Sequence, residues 1–152
     1  MKKRVLILIC TALIAMLAIT ACGGGTASSG TTVNEITVKS VTLAENLDEN
    51  YQAVNPKIQF YPTDTIYVSV DMAGRPKTGT INGKFYYGDQ LISEATLDLS
   101  AVNQGVIISI GEDTFAGFNL TPSQPWPVDT GYRFELTVDG SKVGDYPYEV
   151  IQ

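Results

Sequence analysis

Sixteen Asp and Glu residues are the plentiful reactive groups of this 152-residue chain, which contains no histidine. The lack of imidazole removes the commonest general base and the commonest metal ligand. Both cysteines, Cys10 and Cys22, fall near the N-terminus, so residues 23–152 have no thiol for nucleophilic catalysis, disulfides or a thiolate zinc site. Carboxylates remain. Asp48-Glu49-Asn50, Asp64, Asp71, Asp98, Glu112-Asp113 and Asp129 fall in expected loops or at strand ends, where oxygen ligands can gather a hard cation such as Ca²⁺. No twelve-residue calcium loop and no Asp-x-Asp-x-Asp series accompanies them, so solvated acids are expected and no metal or cofactor site is assigned. A glycosidase needs two carboxyls about 5 to 10 Å apart in a cleft, but any acid-rich domain offers such pairs. Ser141-Lys142 is the one adjacent Ser-Lys pair, and turn chemistry explains it. The expectation is a protein that is not an enzyme.

Aromatic side chains offer a different chemistry, that of contact. Tyr86, Tyr87, Tyr146, Tyr148 and Trp126 can form a platform for carbohydrate or protein. On alternating strands half of them must face inward: Tyr87 shares parity with Ile81 and Phe85, and Tyr148 with Val150. That leaves Trp126, Tyr86 and Tyr67 as the candidate binding surface. Pro125 and Pro127 bracket Trp126 and stiffen its loop, which suits either a core plug or a presented anchor.

The N-terminal residues carry the most specific signal. Lys2, Lys3 and Arg4 precede an apolar run from Val5 to Ile19, the charge and hydropathy pattern of a secretory signal. The run is short for a membrane span, which needs about 20 residues, although a retained N-terminal anchor is the alternative. The run ends in Ile19-Thr20-Ala21-Cys22: an aliphatic residue, two small ones, then cysteine. This resembles the lipobox of bacterial lipoproteins. The resemblance implies a diacylglyceryl group on the Cys22 thiol, cleavage between Ala21 and Cys22, and lipidated Cys22 as the first mature residue. Removal of residues 1–21 leaves seven basic side chains against sixteen acidic ones, a net of −9. Such a domain is repelled by nucleic acid, so no nucleic-acid partner is expected.

Gly23-Gly24-Gly25-Thr26-Ala27-Ser28-Ser29-Gly30-Thr31-Thr32 has the composition of a flexible tether. Ten such residues span about 17 Å r.m.s.. No Lys-Ser/Thr pair follows the glycines, so they do not read as a phosphate loop. The expected organisation is a signal peptide over 1–21, a lipidated cysteine and linker over 22–34, and a folded domain over 35–152.

Within that domain the dominant period is two, which predicts an all-β fold. Ile66, Val68 and Val70 alternate with Tyr67, Ser69 and Asp71, and Tyr132, Phe134, Leu136 and Val138 alternate with Arg133, Glu135 and Thr137. Further strands are predicted over 35–43, 78–87, 91–99, 105–110, 116–120 and 142–151. In the first, the apolar parity flips between Val38 and Val41, so an interruption is predicted at Lys39-Ser40. Asp139-Gly140 predicts a tight hairpin joining the last two strands, and Gly88-Asp89 another turn. Three prolines from Pro122 to Pro127 exclude a central strand there and predict a crossing loop.

That loop, followed by Asp129-Thr130-Gly131-Tyr132 and a strong strand, resembles the connection between strands E and F of an immunoglobulin-like domain. Tyr132 then stands at the tyrosine corner. The resemblance covers residues 35–152 and implies an antiparallel β-sandwich of about seven to nine strands, preceded by a signal-peptide helix and a disordered linker. It is to the broad class, since the paired cysteines of antibody domains are missing. Combined with the lipobox, it implies a membrane-anchored cell-envelope lipoprotein with its domain outside the cytoplasm. Its expected role is non-catalytic binding or adhesion toward a protein or glycan partner, the alternative being an accessory subunit of an envelope assembly.

Overall fold

The computed structural model describes Thr31–Val33, residues 36–102 and residues 105–152. The expected signal peptide, Cys22 and most of the expected linker lie outside the described residues. Eleven strands are present among those described: β1 (Thr31–Val33), β2 (Ile36–Leu47), β3 (Ala53–Pro56), β4 (Gln59–Phe60), β5 (Ile66–Ala73), β6 (Thr80–Tyr87), β7 (Gln90–Asp98), β8 (Ile107–Ile110), β9 (Asp113–Leu120), β10 (Asp129–Val138) and β11 (Ser141–Val150). The single helical turn among the described residues, a 3₁₀ turn at Leu99–Ala101, is capped by Asp98, whose carboxylate accepts from the Ser100 N–H. Among the described residues no helix is long and apolar enough to cross a membrane.

The strands form two sheets. One has the order β1-β2-β5-β9-β8, with β3 also pairing β2; the other is β4-β11-β10-β6-β7. In immunoglobulin letters, β2-β5-β9-β8 is A-B-E-D and β11-β10-β6-β7 is G-F-C-C′, so the fold is an immunoglobulin-like β-sandwich. β4 lies parallel to β11 while the other described pairings are antiparallel. The eight strands expected from the sequence correspond to β2 and β5 to β11. The additional strands β1, β3 and β4 are only two to four residues long.

Alternation sets the core, as the hydrophobic effect requires. Ile66, Val68, Val70 and Met72 of β5 are fully buried, facing Phe134, Leu136 and Val138 of β10, which are also fully buried. In β2 the ladder to β5 pairs Val38 with Met72 and then Ser40 with Asp71, skipping Lys39. This β-bulge lies at the expected interruption. It resets the parity, so that Val38 and Leu43 both reach the core. Asp139 and Gly140 take φ of +46° and +78° between Val138 and Ser141, the two positive values that a type I′ hairpin needs.

β1 falls within the segment expected as linker. Thr31–Val33, assigned to the flexible segment 22–34, pair with Val38, Thr37 and Ile36 of β2. Three β-branched residues favour an extended chain, and the edge of β2 offers them hydrogen-bond partners.

Gly83 of β6 permits close packing between the sheets. A Cβ there would stand 2.7 Å from Phe134 Cε2 and 2.8 Å from Phe118 Cδ1 and Cε1. Both rings are buried, so neither can move aside without opening the core. Gly83→Ala is expected to destabilise the domain by about 2–3 kcal/mol through overpacking. Urea denaturation measures this, and an unchanged midpoint would contradict it.

Candidate functional site

At one end of the sandwich the inner face of the second sheet carries a row of rings. Strand register places Tyr87 beside Tyr132 and Tyr132 beside Tyr148. Their centroids are 4.6 Å and 5.4 Å apart, with interplanar angles of 22° in both pairs. Phe60 meets Tyr148 edge-on at 5.7 Å, and Trp126 meets Tyr132 edge-on at 6.5 Å. Tyr132 Oη donates to the Pro127 carbonyl at 2.8 Å, closing the expected tyrosine corner. Burial, then the nearby Tyr87 and Asp129, push the Tyr132 phenol up to about 12. Burial raises Tyr148 as well. Both phenols are therefore neutral at physiological pH and serve as packing rather than as nucleophiles. Tyr132→Phe removes the corner bond while keeping the ring. The Pro127 residue is solvent-exposed, so water can reach the freed carbonyl, and the expected loss is about 1 kcal/mol. A thermal midpoint indistinguishable from wild type would show that the corner contributes nothing.

The three sequence-predicted binding residues are not brought together. Trp126 lies in the loop between β9 and β10 and is half-buried against the core. Its backbone N–H donates to the Pro62 carbonyl at 2.8 Å and its indole N–H to the Asp64 carbonyl at 3.3 Å. The loop is thus pinned to the β4–β5 turn, and part of the ring is a plug. Tyr67 is half-buried on the outer face of β5, in the first sheet, and Tyr86 on the outer face of β6, in the second. The Arg133 guanidinium sits 4.2 Å from the Tyr86 ring centroid, a cation–π contact that covers much of that face. Sequence reasoning missed the more exposed apolar side chains Ile58, Tyr61 and Val128, which are 60%, 54% and 50% exposed. They sit in irregular backbone around β4 and after Trp126, where no periodicity distinguishes in from out.

Most candidate carboxylates are engaged by their own loops. Asp48 accepts from the N–H groups of Asn50 and Gln52, both at 2.8 Å, and so shapes the turn after β2. Asp64 accepts from Lys57 Nζ at 2.8 Å and from the Tyr61 N–H at 3.0 Å. Partial burial opposes ionisation of Asp64, but these bonds outweigh it and hold the carboxyl below its usual value. Asp129 is lowered by the Gly131 N–H and by the Tyr87 hydroxyl, which donates at 2.9 Å. Lys39 Nζ lies 2.7 Å from Asp113 and 3.6 Å from Asp71. Asp71 is raised, chiefly by burial, and its Oδ1 is buried without a hydrogen bond. Lys142 Nζ lies 2.7 Å from Asp145 and 3.0 Å from Glu135. Among the described residues no group of three or more His, Cys, Asp or Glu could hold a metal ion.

No protein-family model and no curated protein matches this chain. Among solved structures it is similar to the CARDB domain of a Pyrococcus furiosus protein, determined in complex with di-metal ions. The two share 14% identity over 74% of this chain and 88% of that one, with a TM-score of 0.36.

Proposed function

We propose that this chain is a membrane-anchored cell-envelope lipoprotein whose immunoglobulin-like sandwich is a non-catalytic binding or adhesion module for a protein or glycan. The observation that carries the reading is Ile19-Thr20-Ala21-Cys22 placed directly after a basic and then an apolar segment. It is supported by the structural use of Tyr87, Tyr132, Asp64 and Asp129, whose side chains hydrogen-bond within the fold. A sandwich of rigid strands suits presentation of loops at either end.

The accessory-subunit reading is favoured by the exposure of Ile58, Tyr61 and Val128, since exposed apolar side chains suit a stable interface. In situ cross-linking of the anchored protein, followed by detergent extraction, tests the binding role. A discrete heterologous adduct supports it, and survival of that complex without cross-linker selects the accessory subunit. Monomer alone under all conditions would contradict both.

A further inference from the structure

We propose that the end of the sandwich opposite Trp126 holds an anion site for a phosphate group, formed by Arg75 and Lys77 in the β5–β6 loop. This goes beyond the binding role above and does not depend on lipidation of Cys22. The observation is one of charge placement. Seven basic residues follow Cys22: Lys39, Lys57, Arg75, Lys77, Lys84, Arg133 and Lys142. Five of them form ion pairs with carboxylates: Lys39 with Asp71 and Asp113, Lys57 with Asp64, Lys84 with Glu94, Arg133 with Asp145, and Lys142 with Glu135 and Asp145. Among the described residues Arg75 and Lys77 have no such partner. They are two residues apart and line the same cavity.

That cavity has a volume of about 380 Å³ and is walled by Ile36, Ala73, Gly74, Pro76 and Thr78 in addition to the two cations. At about 30 Å³ per water it admits roughly a dozen waters, room for a phosphate together with part of the group it esterifies. Arg75 is held in place from behind: its Nε donates to the Gly111 carbonyl at 2.9 Å, and its Nη2 donates to the same oxygen. The Nη1 amine is left for a ligand, on a guanidinium whose rotamer is already fixed. Pro76 stiffens the loop between the two cations. Gly74, at φ +76° and with open space for 4 Å around the point where a Cβ would stand, leaves the mouth open. The nearby acid Asp139 is committed to the Thr80 N–H at 2.7 Å, and Asp113 to Lys39. In a domain of strongly negative net charge, two neighbouring cations with no ion-pair partner among the described residues mark where an anion is tolerated.

The test is a ¹⁵N–¹H chemical-shift titration of the full chain in uncharged maltoside micelles at low ionic strength, with two arms. One adds inorganic phosphate; the other dopes the micelles with phosphatidylglycerol. Saturable shifts confined to residues 74–78 and 111 are expected, and the responding arm tells whether the phosphate is free or a lipid headgroup. Lys77 is exposed and has no ion-pair partner among the described residues, so Lys77→Glu should leave the remaining spectrum intact while weakening binding by about tenfold. No saturable shift in either arm overturns the proposal, as does an equal response from Lys77→Glu.

Discussion

Replacing Cys22 by alanine is expected to abolish incorporation of labelled palmitate and to leave the chain as uncleaved precursor or as soluble protein. The thiol is the acceptor in the lipobox reading, and alanine has nothing to acylate. Each buried methylene of an acyl chain contributes about 0.8 kcal/mol, so two chains hold a protein at a bilayer far more firmly than one. Among the described residues no helix is long and apolar enough to cross a membrane. The acidic excess also disfavours adsorption to anionic lipid. Undiminished labelling of the Cys22→Ala chain would place the lipid elsewhere or refute it.

Within the fold, the largest loss is expected from Phe134→Ala. Phe134 lies on β10, flanked by β11 and β6, and its side chain is completely buried. Its ring contacts Phe85 at 4.9 Å, Phe118 of the opposite sheet at 5.5 Å and Tyr146 at 6.3 Å. Truncation removes the transfer free energy of a benzyl group and leaves a cavity between sheets whose strands are fixed by hydrogen bonds on both sides. A loss of about 3–5 kcal/mol is expected. Against a total stability of about 5–15 kcal/mol, and with no disulfide to restrain the unfolded chain, that deficit should leave a measurable unfolded population at growth temperature. Equilibrium urea unfolding measures the effect, and a loss under about 1 kcal/mol would contradict the packing described for Gly83, Phe118 and Phe134.

Much of this architecture was legible in the sequence where one face of a strand is buried. β5 and β10 alternate cleanly because the inner face is apolar and the outer is wet. The parity flip around Lys39 exposed the bulge because a bulge adds one residue to a period of two. The tyrosine corner was legible because prolines, a turn and a strong strand follow in fixed order. β3 and β4 were not: two to four residues set no period, and their conformation depends on the edges of β2 and β11 that receive them. β1 was hidden for the same reason, in a stretch whose Ser and Gly content reads as tether. The candidate surface was the least legible part. Parity says which way Tyr67 and Tyr86 point, but not that they lie on different sheets or that Arg133 covers Tyr86. Trp126 illustrates the limit, because a proline-bracketed ring can be plug or anchor and here is partly both. Arg75 and Lys77 carried no sequence signal. Their distinction lies in the carboxylates that the fold delivers to the other five cations and not to them.

Attachment of this domain to a membrane through Cys22 is tested most directly by the mass of the N-terminal peptide from protein extracted from the membrane fraction. The expected peptide begins at Cys22 and carries a diacylglyceryl group on its sulfur. A peptide that retains residues 1–21, or one containing Cys22 with an unmodified thiol, would contradict the anchor.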